Sequence, residues 1–148
     1  MSPTDDDLTA VGSDEESNLR GNKRFFDQSM DLCCIAGTDT YFRTVNPAFE
    51  KALGYSSKQL LQMSFLELIH PDDRQPTVQE INKLSQGQDC VQFENRYRCQ
   101  DGSWKWLSWN CPAADPSTGL LYATARDVTL QKASEVALRI RDSAFSAM

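Results

Sequence analysis

Apolar and polar residues alternate in the second half of the chain with a period of two, which is typical of β-strands that pack on one face. The alternation predicts three strands, over residues 90–99, 103–112 and 120–128. Asp101-Gly102 predicts a tight hairpin turn between the first two strands, because both central residues of such a turn favour positive φ. A wider turn over 115–119 precedes the third strand.

The first half of the chain predicts shorter elements. Leu19, Phe26 and Met30 can share one helical face and indicate a lead-in helix over 18–30. Two strands follow, and turn residues join them into a hairpin. We place these strands at 31–36 and 41–45 and the turn at 37–39.

Capping residues then mark a series of short helices. Asn46 suits an N-cap and Pro47 suits the first helical position, so a helix over 47–53 is predicted. Gly54 closes this helix. Two further short helices follow, one capped by Ser56 or Ser57 and one over 65–69.

A longer helix is predicted to begin near Asp72 or Asp73, whose carboxylates favour a helix N-terminus, and to end at Gly87. Pro76 is compatible with this helix only in its first turn. The helix would present one apolar stripe, formed by Val78, Ile81 and Leu84.

The order of the elements predicts an α+β fold with an antiparallel sheet, because the helices are segregated between two groups of strands. Five strands alone would leave one face of the sheet bare. The middle helices can cover that face and could leave a small cavity beneath them.

The last predicted strand runs directly into a helical segment, which Asp127 or Thr129 can cap by accepting backbone N–H bonds. Spacings of three and four residues along this helix predict a coiled-coil seam and therefore a homodimer. The seam consists of Leu130, Ala133, Ala137, Ile140, Ala144 and Ala147. The alternative is a helix that folds back onto its own sheet.

The charge distribution argues against nucleic acid as a partner. The net charge is −6, but six of the 21 acidic residues lie within residues 1–18, which contain no Lys or Arg. The remaining chain carries 15 acidic and 15 basic residues and is formally neutral, with no basic stripe. We expect the acidic segment over 1–18 to be a disordered tail.

No segment approaches the roughly 20 apolar residues of a membrane span, and the N-terminus lacks the pattern of a signal peptide. A cytoplasmic location is therefore expected. The cysteines agree, because they form no CxxC pair and favour small buried side chains over redox or metal thiols. They are Cys33, Cys34, Cys90, Cys99 and Cys111.

Six short motifs stand in a characteristic order. The first half supplies Val45-Asn46-Pro47-Ala48-Phe49, Leu53-Gly54-Tyr55-Ser56 and Leu68-Ile69-His70-Pro71-Asp72-Asp73-Arg74. The second half supplies Glu94-x-Arg96-Tyr97-Arg98, Asp101-Gly102-Ser103-Trp104-x-Trp106 and Arg126-Asp127-Val128-Thr129. With these motifs the chain resembles a PAS domain with its C-terminal PAC segment, from about Phe25 to Thr129.

The resemblance implies a five-stranded antiparallel sheet with helices on one face. It also implies a sensing or dimerisation role at the input end of histidine kinases, cyclic-nucleotide enzymes and transcription regulators. In that family the matching Asp-x-Thr element, here Asp127 and Thr129, joins the last strand to the output helix. Arg141 and Phe145 look like the lead-in to another PAS module, so we expect the N-terminal piece of a longer sensor.

The candidate ligand site is the cavity beneath the helices. The residues that could face it are Phe49, Phe65, Val78, Ile81, Asn95, Tyr97, Trp106 and Asn110. Tryptophans on a sheet also serve as packing or interface residues, which is the alternative for Trp106. Catalysis finds no support, because the single histidine lies beside a proline, and both a paired serine motif and a Gly-rich phosphate loop are missing.

No cofactor or metal is expected. His70 could ligate haem, as a histidine does in some family members, but it precedes the long helix, where a turn-capping role is the alternative. Photosensory relatives carry a reactive Cys on the short helices, whereas residues 63–69 contain none. Covalent flavin photochemistry is therefore not expected, and non-covalent flavin stays open.

The sequence thus predicts a sensory and dimerisation module, the input domain of a two-component sensor histidine kinase or of a cyclic-dinucleotide enzyme. A ligand or partner would act on the helices, and the exit helix would carry the signal. Two alternatives remain, a flavin- or haem-bearing redox sensor and a purely structural dimerisation module.

Overall fold

A computed structural model describes residues 21–146, with side chains up to residue 141. The predicted acidic tail, Leu19 and the side chains of Ala144 and Ala147 lie outside the described residues. A first helix, α1, covers residues 21–28. The other elements, in chain order, are β1 (Leu32–Ala36), β2 (Phe42–Val45), α2 (Pro47–Leu53), α3 (Ser57–Leu61), α4 (Phe65–Leu68), α5 (Pro71–Ser85), β3 (Cys90–Arg98), β4 (Trp104–Cys111), β5 (Leu121–Asp127) and α6 (Thr129–Ser146).

The five strands form one antiparallel sheet in the order β2-β1-β5-β4-β3. The predicted α+β class and the PAS-like sheet are confirmed. The first and last strands along the chain, β1 and β5, are neighbours in the middle of the sheet, so the two halves of the chain close on each other. Strands β2 and β3 are the edges.

The core lies between the helices and one face of the sheet. Phe49 of α2 is fully buried, and its ring centroid lies 5.1 Å from Phe42, 6.5 Å from Tyr97 and 6.2 Å from Trp109. Edge-to-face and tilted contacts at these separations are favourable beyond the apolar area they bury. The helix α2 therefore anchors the helical layer to both halves of the sheet.

Strand β4 separates its tryptophans between two faces. Leu107, Trp109 and Cys111 point into the core, whereas Trp104 and Trp106 alternate with them and point outward. Successive strand residues face opposite sides, so a tryptophan at an odd position cannot share a face with two at even positions.

Two predicted features of β3 were wrong. Val91 is 70% exposed, because a bulge interrupts the pairing between Cys90 and Phe93 and Gln92 adopts φ 51°. The second error concerns the turn between β3 and β4, which is a three-residue loop over 100–102 and not a tight two-residue turn. In this loop Gly102 has φ 89° and its N–H donates to the carbonyl of Cys99. Only the glycine of Asp101-Gly102 takes a positive φ.

The helix α5 begins earlier than predicted, at Pro71, because the side chain of His70 caps it. Pro76 consequently lies inside the helix and not in its first turn. The buried stripe consists of Thr77, Ile81 and Leu84, whereas Val78 is 37% exposed. Thr77, Ile81 and Leu84 stand at positions i, i+4 and i+7 of the helix, which share one face.

Asn46 holds the first half of the fold together. Its buried Oδ1 accepts hydrogen bonds from the N–H groups of Phe49 (3.1 Å) and Cys33 (2.9 Å). Its Nδ2 donates to the carbonyls of Phe26 (3.0 Å) and Asp31 (2.9 Å). One amide therefore caps α2 and also ties α1 and β1 to it.

We expect Asn46→Ala to lower the free energy of unfolding by about 3 kcal/mol or more, because it removes an N-cap and leaves several buried backbone groups without a partner. Ser56→Ala is the matched control, since Ser56 caps the exposed end of α3 and should cost about 1 kcal/mol. Denaturant unfolding measures both values. Equal losses would contradict the central role of Asn46.

Candidate functional site: a small cavity and the joint to α6

A cavity of about 70 Å³ lies between α5 and the inner face of the sheet. Its wall is almost entirely apolar. Side chains from α4, α5 and all five strands contribute to it, namely Cys34, Ala36, Phe42, Phe65, Thr77, Glu80, Ile81, Leu84, Cys90, Phe93, Asn95, Tyr97, Trp109, Cys111, Leu121 and Ala123.

Asn95 is the buried polar group on the sheet side of this cavity. Its Oδ1 accepts a hydrogen bond from Trp109 Nε1 at 2.8 Å, and its Nδ2 donates to Thr77 Oγ1 at 3.2 Å. Thr77 Oγ1 in turn donates to the carbonyl of Asp73 at 2.7 Å. Within the described residues, no buried side-chain nitrogen or oxygen lacks a hydrogen-bond partner. The chain of bonds therefore ties α5 to β3 and β4.

Four of the eight residues proposed for the cavity line it, namely Phe65, Ile81, Asn95 and Tyr97. The other four do not. Phe49 is buried but does not reach the cavity, and Val78 lies on the exposed side of α5. Trp106 and Asn110 occupy outward positions of β4, because the pleat reserves the inner face for the alternate residues.

Three thiols in the cavity wall were not predicted as site residues. Cys34, Cys90 and Cys111 all lie at inward positions, where the strand alternation could have revealed them. Burial raises the pKa of Cys90 and of Cys111 to about 11 and raises that of Cys34 further. These thiols are therefore protonated at neutral pH and behave as small apolar groups.

The second part of the site is the joint between β5 and α6. The backbone N–H of Trp106 donates to Thr129 Oγ1 at 2.9 Å, and the Thr129 hydroxyl donates to Asp127 Oδ1 at 2.6 Å. Thr129 N–H also donates to Asp127 Oδ1 (3.0 Å), and Val128 N–H donates to the carbonyl of Trp106 (2.9 Å). The first turn of α6 is thus bonded to β4 as well as to the strand it follows.

Asp127 stays ionised in this joint. Partial burial opposes its charge, but hydrogen bonds from Thr129 and the nearby Lys105 outweigh that effect and lower the pKa of Asp127. Lys105 Nζ lies 3.5 Å from Asp127 Oδ2. The carboxylate therefore caps the first turn of α6 as an anion, which the N-terminal end of a helix favours.

The same local motif occurs at two other turns. Asp101 accepts from the N–H and hydroxyl of Ser103, and Asp115 accepts in the same way from Ser117. Only at Asp127 does the hydroxyl partner also accept a hydrogen bond from a neighbouring strand, among the three turns compared. The tertiary bond distinguishes the joint, and the sequence motif alone does not.

The helix α6 projects away from the sheet after its first turn. Leu130 is 81% exposed and Ile140 is 65% exposed. Ala133 and Ala137, the other predicted seam residues with described side chains, are exposed too. Up to residue 141 the helix does not fold back onto its own sheet, so the seam is available to another surface.

His70 lies outside the cavity wall. Its Nδ1 accepts a hydrogen bond from Asp72 N–H at 3.1 Å, and its ring lies 4.8 Å from that of Trp104. The side chain caps α5, which is the alternative that the sequence offered to haem ligation. No cluster of metal-ligating side chains occurs among the described residues.

Asp73 fixes the start of α5 to the edge strand β3. Its two carboxylate oxygens each accept a 2.8 Å bond from the Arg96 guanidinium, and Oδ2 also accepts from Arg96 N–H at 2.8 Å. The hydrogen bonds from Arg96 lower the pKa of Asp73 despite its partial burial. The backbone N–H of His70 donates to the backbone carbonyl of Arg96 at 2.9 Å, which adds a second link between this corner and β3.

A family model described as the PAS fold matches residues 42–122, which is more than half of the chain. The chain therefore belongs to the PAS fold family, and the resemblance noted in its motifs is confirmed. Within the described residues, no helix is long and apolar enough to cross a bilayer.

Two curated proteins are similar to part of the chain. The sensor histidine kinase TmoS of Ectopseudomonas mendocina is 28% identical over 95 residues, which cover 64% of this chain and 10% of that protein. The probable diguanylate cyclase DgcE of Escherichia coli (strain K12) is 27% identical over 97 residues, covering 62% and 9%. The chain thus spans about a tenth of the length of these relatives.

Solved structures share the same fold. The PAS domain of an HTR-like protein from Haloarcula marismortui superposes with a TM-score of 0.68 at 21% identity, covering 80% of this chain and 98% of that one. At this identity the similarity concerns the architecture, and it agrees with the strand order and helical layer described above.

We expect the free energy of unfolding to fall as the pH decreases from about 5 to about 2, and Asp73→Asn to flatten that dependence. The folded state holds the pKa of Asp73 below 3.8, so its carboxylate stabilises the fold above that pH and loses this effect as it becomes protonated. At neutral pH the substitution should cost about 2 kcal/mol. Denaturant unfolding across this pH range measures both effects.

Asp39→Asn provides the control for Asp73→Asn. Asp39 pairs with Arg43 at 2.9 Å, but both side chains are about half exposed, so the loss should stay below about 1 kcal/mol. If the two variants lose the same stability, the Asp73–Arg96 pair has no special role.

Proposed function

We propose that this PAS domain is the sensory and dimerisation module of a signal-transduction protein, acting as the cytoplasmic input domain of a sensor histidine kinase. The observation that carries the proposal is the continuous set of hydrogen bonds from β4 through Thr129 and Asp127 into α6. A displacement of the sheet at this point must move the first turn of the helix or break those bonds. The similarity to a sensor histidine kinase supports the choice of output.

The cavity sets the class of ligand. A cavity of about 70 Å³ is roughly half of a 150 Å³ apolar cavity that stays dry and binds benzene. Its apolar wall and its satisfied polar groups favour a ligand of a few apolar heavy atoms. Binding would act between α5 and the sheet, because both contribute to the wall.

The signal passes as a shift between two packing states. A ligand that binds one arrangement of α5 and the sheet more tightly raises the population of that arrangement, and the shift is limited by the difference in affinity. The bonded joint at Thr129 then alters the direction or register of α6. Two copies joined along the seam that begins at Leu130 would carry this change to the output domain.

A bulky cofactor does not suit the cavity. Pockets for drug-sized ligands have volumes of about 300–1,000 Å³, and flavin or haem requires space of that order. His70 points elsewhere, toward Asp72 and Trp104. We therefore propose a domain without a resident cofactor, and an absorption spectrum of the purified protein tests this.

A second candidate function is a structural dimerisation module that binds no ligand. The small volume of the cavity and the exposed apolar residues of α6 favour it. Native mass spectrometry of the purified domain separates the candidates, because a retained small molecule supports the sensor and a dimer without one supports the structural module.

We expect Asp127→Ala and Thr129→Val to reduce the signal-dependent output of the longer protein by about fivefold or more, which corresponds to a coupling of about 1 kcal/mol. Asp127→Ala removes both hydrogen bonds from Thr129, and Thr129→Val removes the two bonds of the Thr129 hydroxyl. Neither residue lines the cavity. The assay is autophosphorylation, or diguanylate cyclase activity if that is the output, with and without the signal.

Asp115→Ala is the matched control, because Asp115 forms the same local bonds with Ser117 at a turn remote from α6. It should leave the output unchanged. Full signalling by both joint variants, with α6 still helical, would rule out this route.

A further inference from the structure

Trp106 lies on the outer face of the sheet beneath two cations. The guanidinium carbon of Arg96 and the Nζ atom of Lys132 each lie 4.8 Å from the centroid of its ring. Both distances fall within the range of cation–π attraction. Arg96 belongs to β3 and Lys132 to the first turns of α6, so one indole contacts both elements.

Each cation has its own carboxylate partner. Arg96 forms two 2.8 Å bonds with Asp73 at the start of α5, and Lys132 Nζ lies 2.6 Å from Glu94 Oε1 of β3. The exposed fractions of these side chains are 14% for Asp73, 26% for Arg96, 29% for Lys132 and 38% for Glu94, so the Arg96–Asp73 pair is the better covered of the two. Partly buried pairs of this kind are screened by salt less than surface pairs.

The contacts form a continuous path around the edge of the sheet. Asp73 holds Arg96, Arg96 lies over Trp106, and Trp106 lies under Lys132. The path joins α5, which forms one wall of the cavity, to α6, which leaves the domain. It does not pass through the cavity or through Asp127.

We propose that the side chain of Trp106 is a positioning residue that couples the start of α5 to the first turn of α6. Its role in signalling rests on the proposed function, but the coupling itself is a property of the folded domain. The backbone N–H and carbonyl of Trp106 hold the Thr129 joint, whereas its ring holds the cation contacts. Substituting the side chain therefore separates the two links.

Hydrogen exchange at the backbone amides of residues 132–135 measures how often the first turns of α6 open. The experiment uses the 148-residue chain and compares wild type, Asp73→Asn, Trp106→Leu and the double variant. The Cys34 amide in β1 is followed in the same samples as a report of global opening, so that a change in the first turns of α6 can be told from a change in global stability. No signal or output is needed, so this test and the test of the proposed function can fail separately.

We expect Asp73→Asn to raise the exchange rate of these α6 amides by about three- to tenfold, which lies within the coupling range of packed networks. In the Trp106→Leu background the same substitution should have no further effect on α6, although it still loosens α5. Trp106→Phe should give an intermediate coupling, because a smaller aromatic face attracts cations less strongly.

Trp104→Leu is the control, because Trp104 is also an outward tryptophan of β4 but contacts His70 and lacks a cation from α6 among its described partners. It should leave the effect of Asp73→Asn on α6 intact. If Trp106→Leu does not fold, Trp106→Phe and Lys132→Met complete the same comparison. The proposal is overturned if Asp73→Asn leaves α6 unchanged in wild type, or changes it equally without the tryptophan ring.

Discussion

The site depends on two backbone groups of one residue. The ladder between β4 and β5 ends at the pair Leu107 and Asp127, so the N–H and carbonyl of Trp106 have no strand partner on that side. Buried backbone groups must be bonded, and here Thr129 and Val128 satisfy them. The difference in strand length thus determines where α6 begins and how firmly it is held.

The sequence predicted the bounds of an element well where the local preferences of a few residues determine where that element starts or ends. Asn46 and Pro47 set the start of α2, and the strand alternation placed β3, β4 and β5 within two residues of their observed ends. Tertiary contacts decided the rest. The bulge at Gln92 turned Val91 outward, and packing against Asn95 selected Thr77 over Val78, a choice that hydrophobicity alone would have reversed.

The candidate site was only half predictable for a related reason. Alternation assigns residues to two faces but does not say which face the helices cover, so Trp106 and Asn110 were placed on the inner side with Asn95. Strand pairing settles the matter, because Arg96 and Trp106 are opposite each other and both point outward. The outer face of the sheet carries the charged side chains that link α5 to α6, whereas the inner face lines the apolar cavity.

The start of α5, where Asp73 lies, also satisfies backbone groups at the edge of the sheet. At β3 the N–H and carbonyl of Arg96 are taken by Asp73 and His70, and near β2 the carbonyl of Thr40 accepts from Phe65 N–H. Unpaired strand borders are templates for strand addition by another polypeptide. At these points strand addition is blocked, and the exposed apolar side chains of α6 offer two molecules a different surface on which to meet.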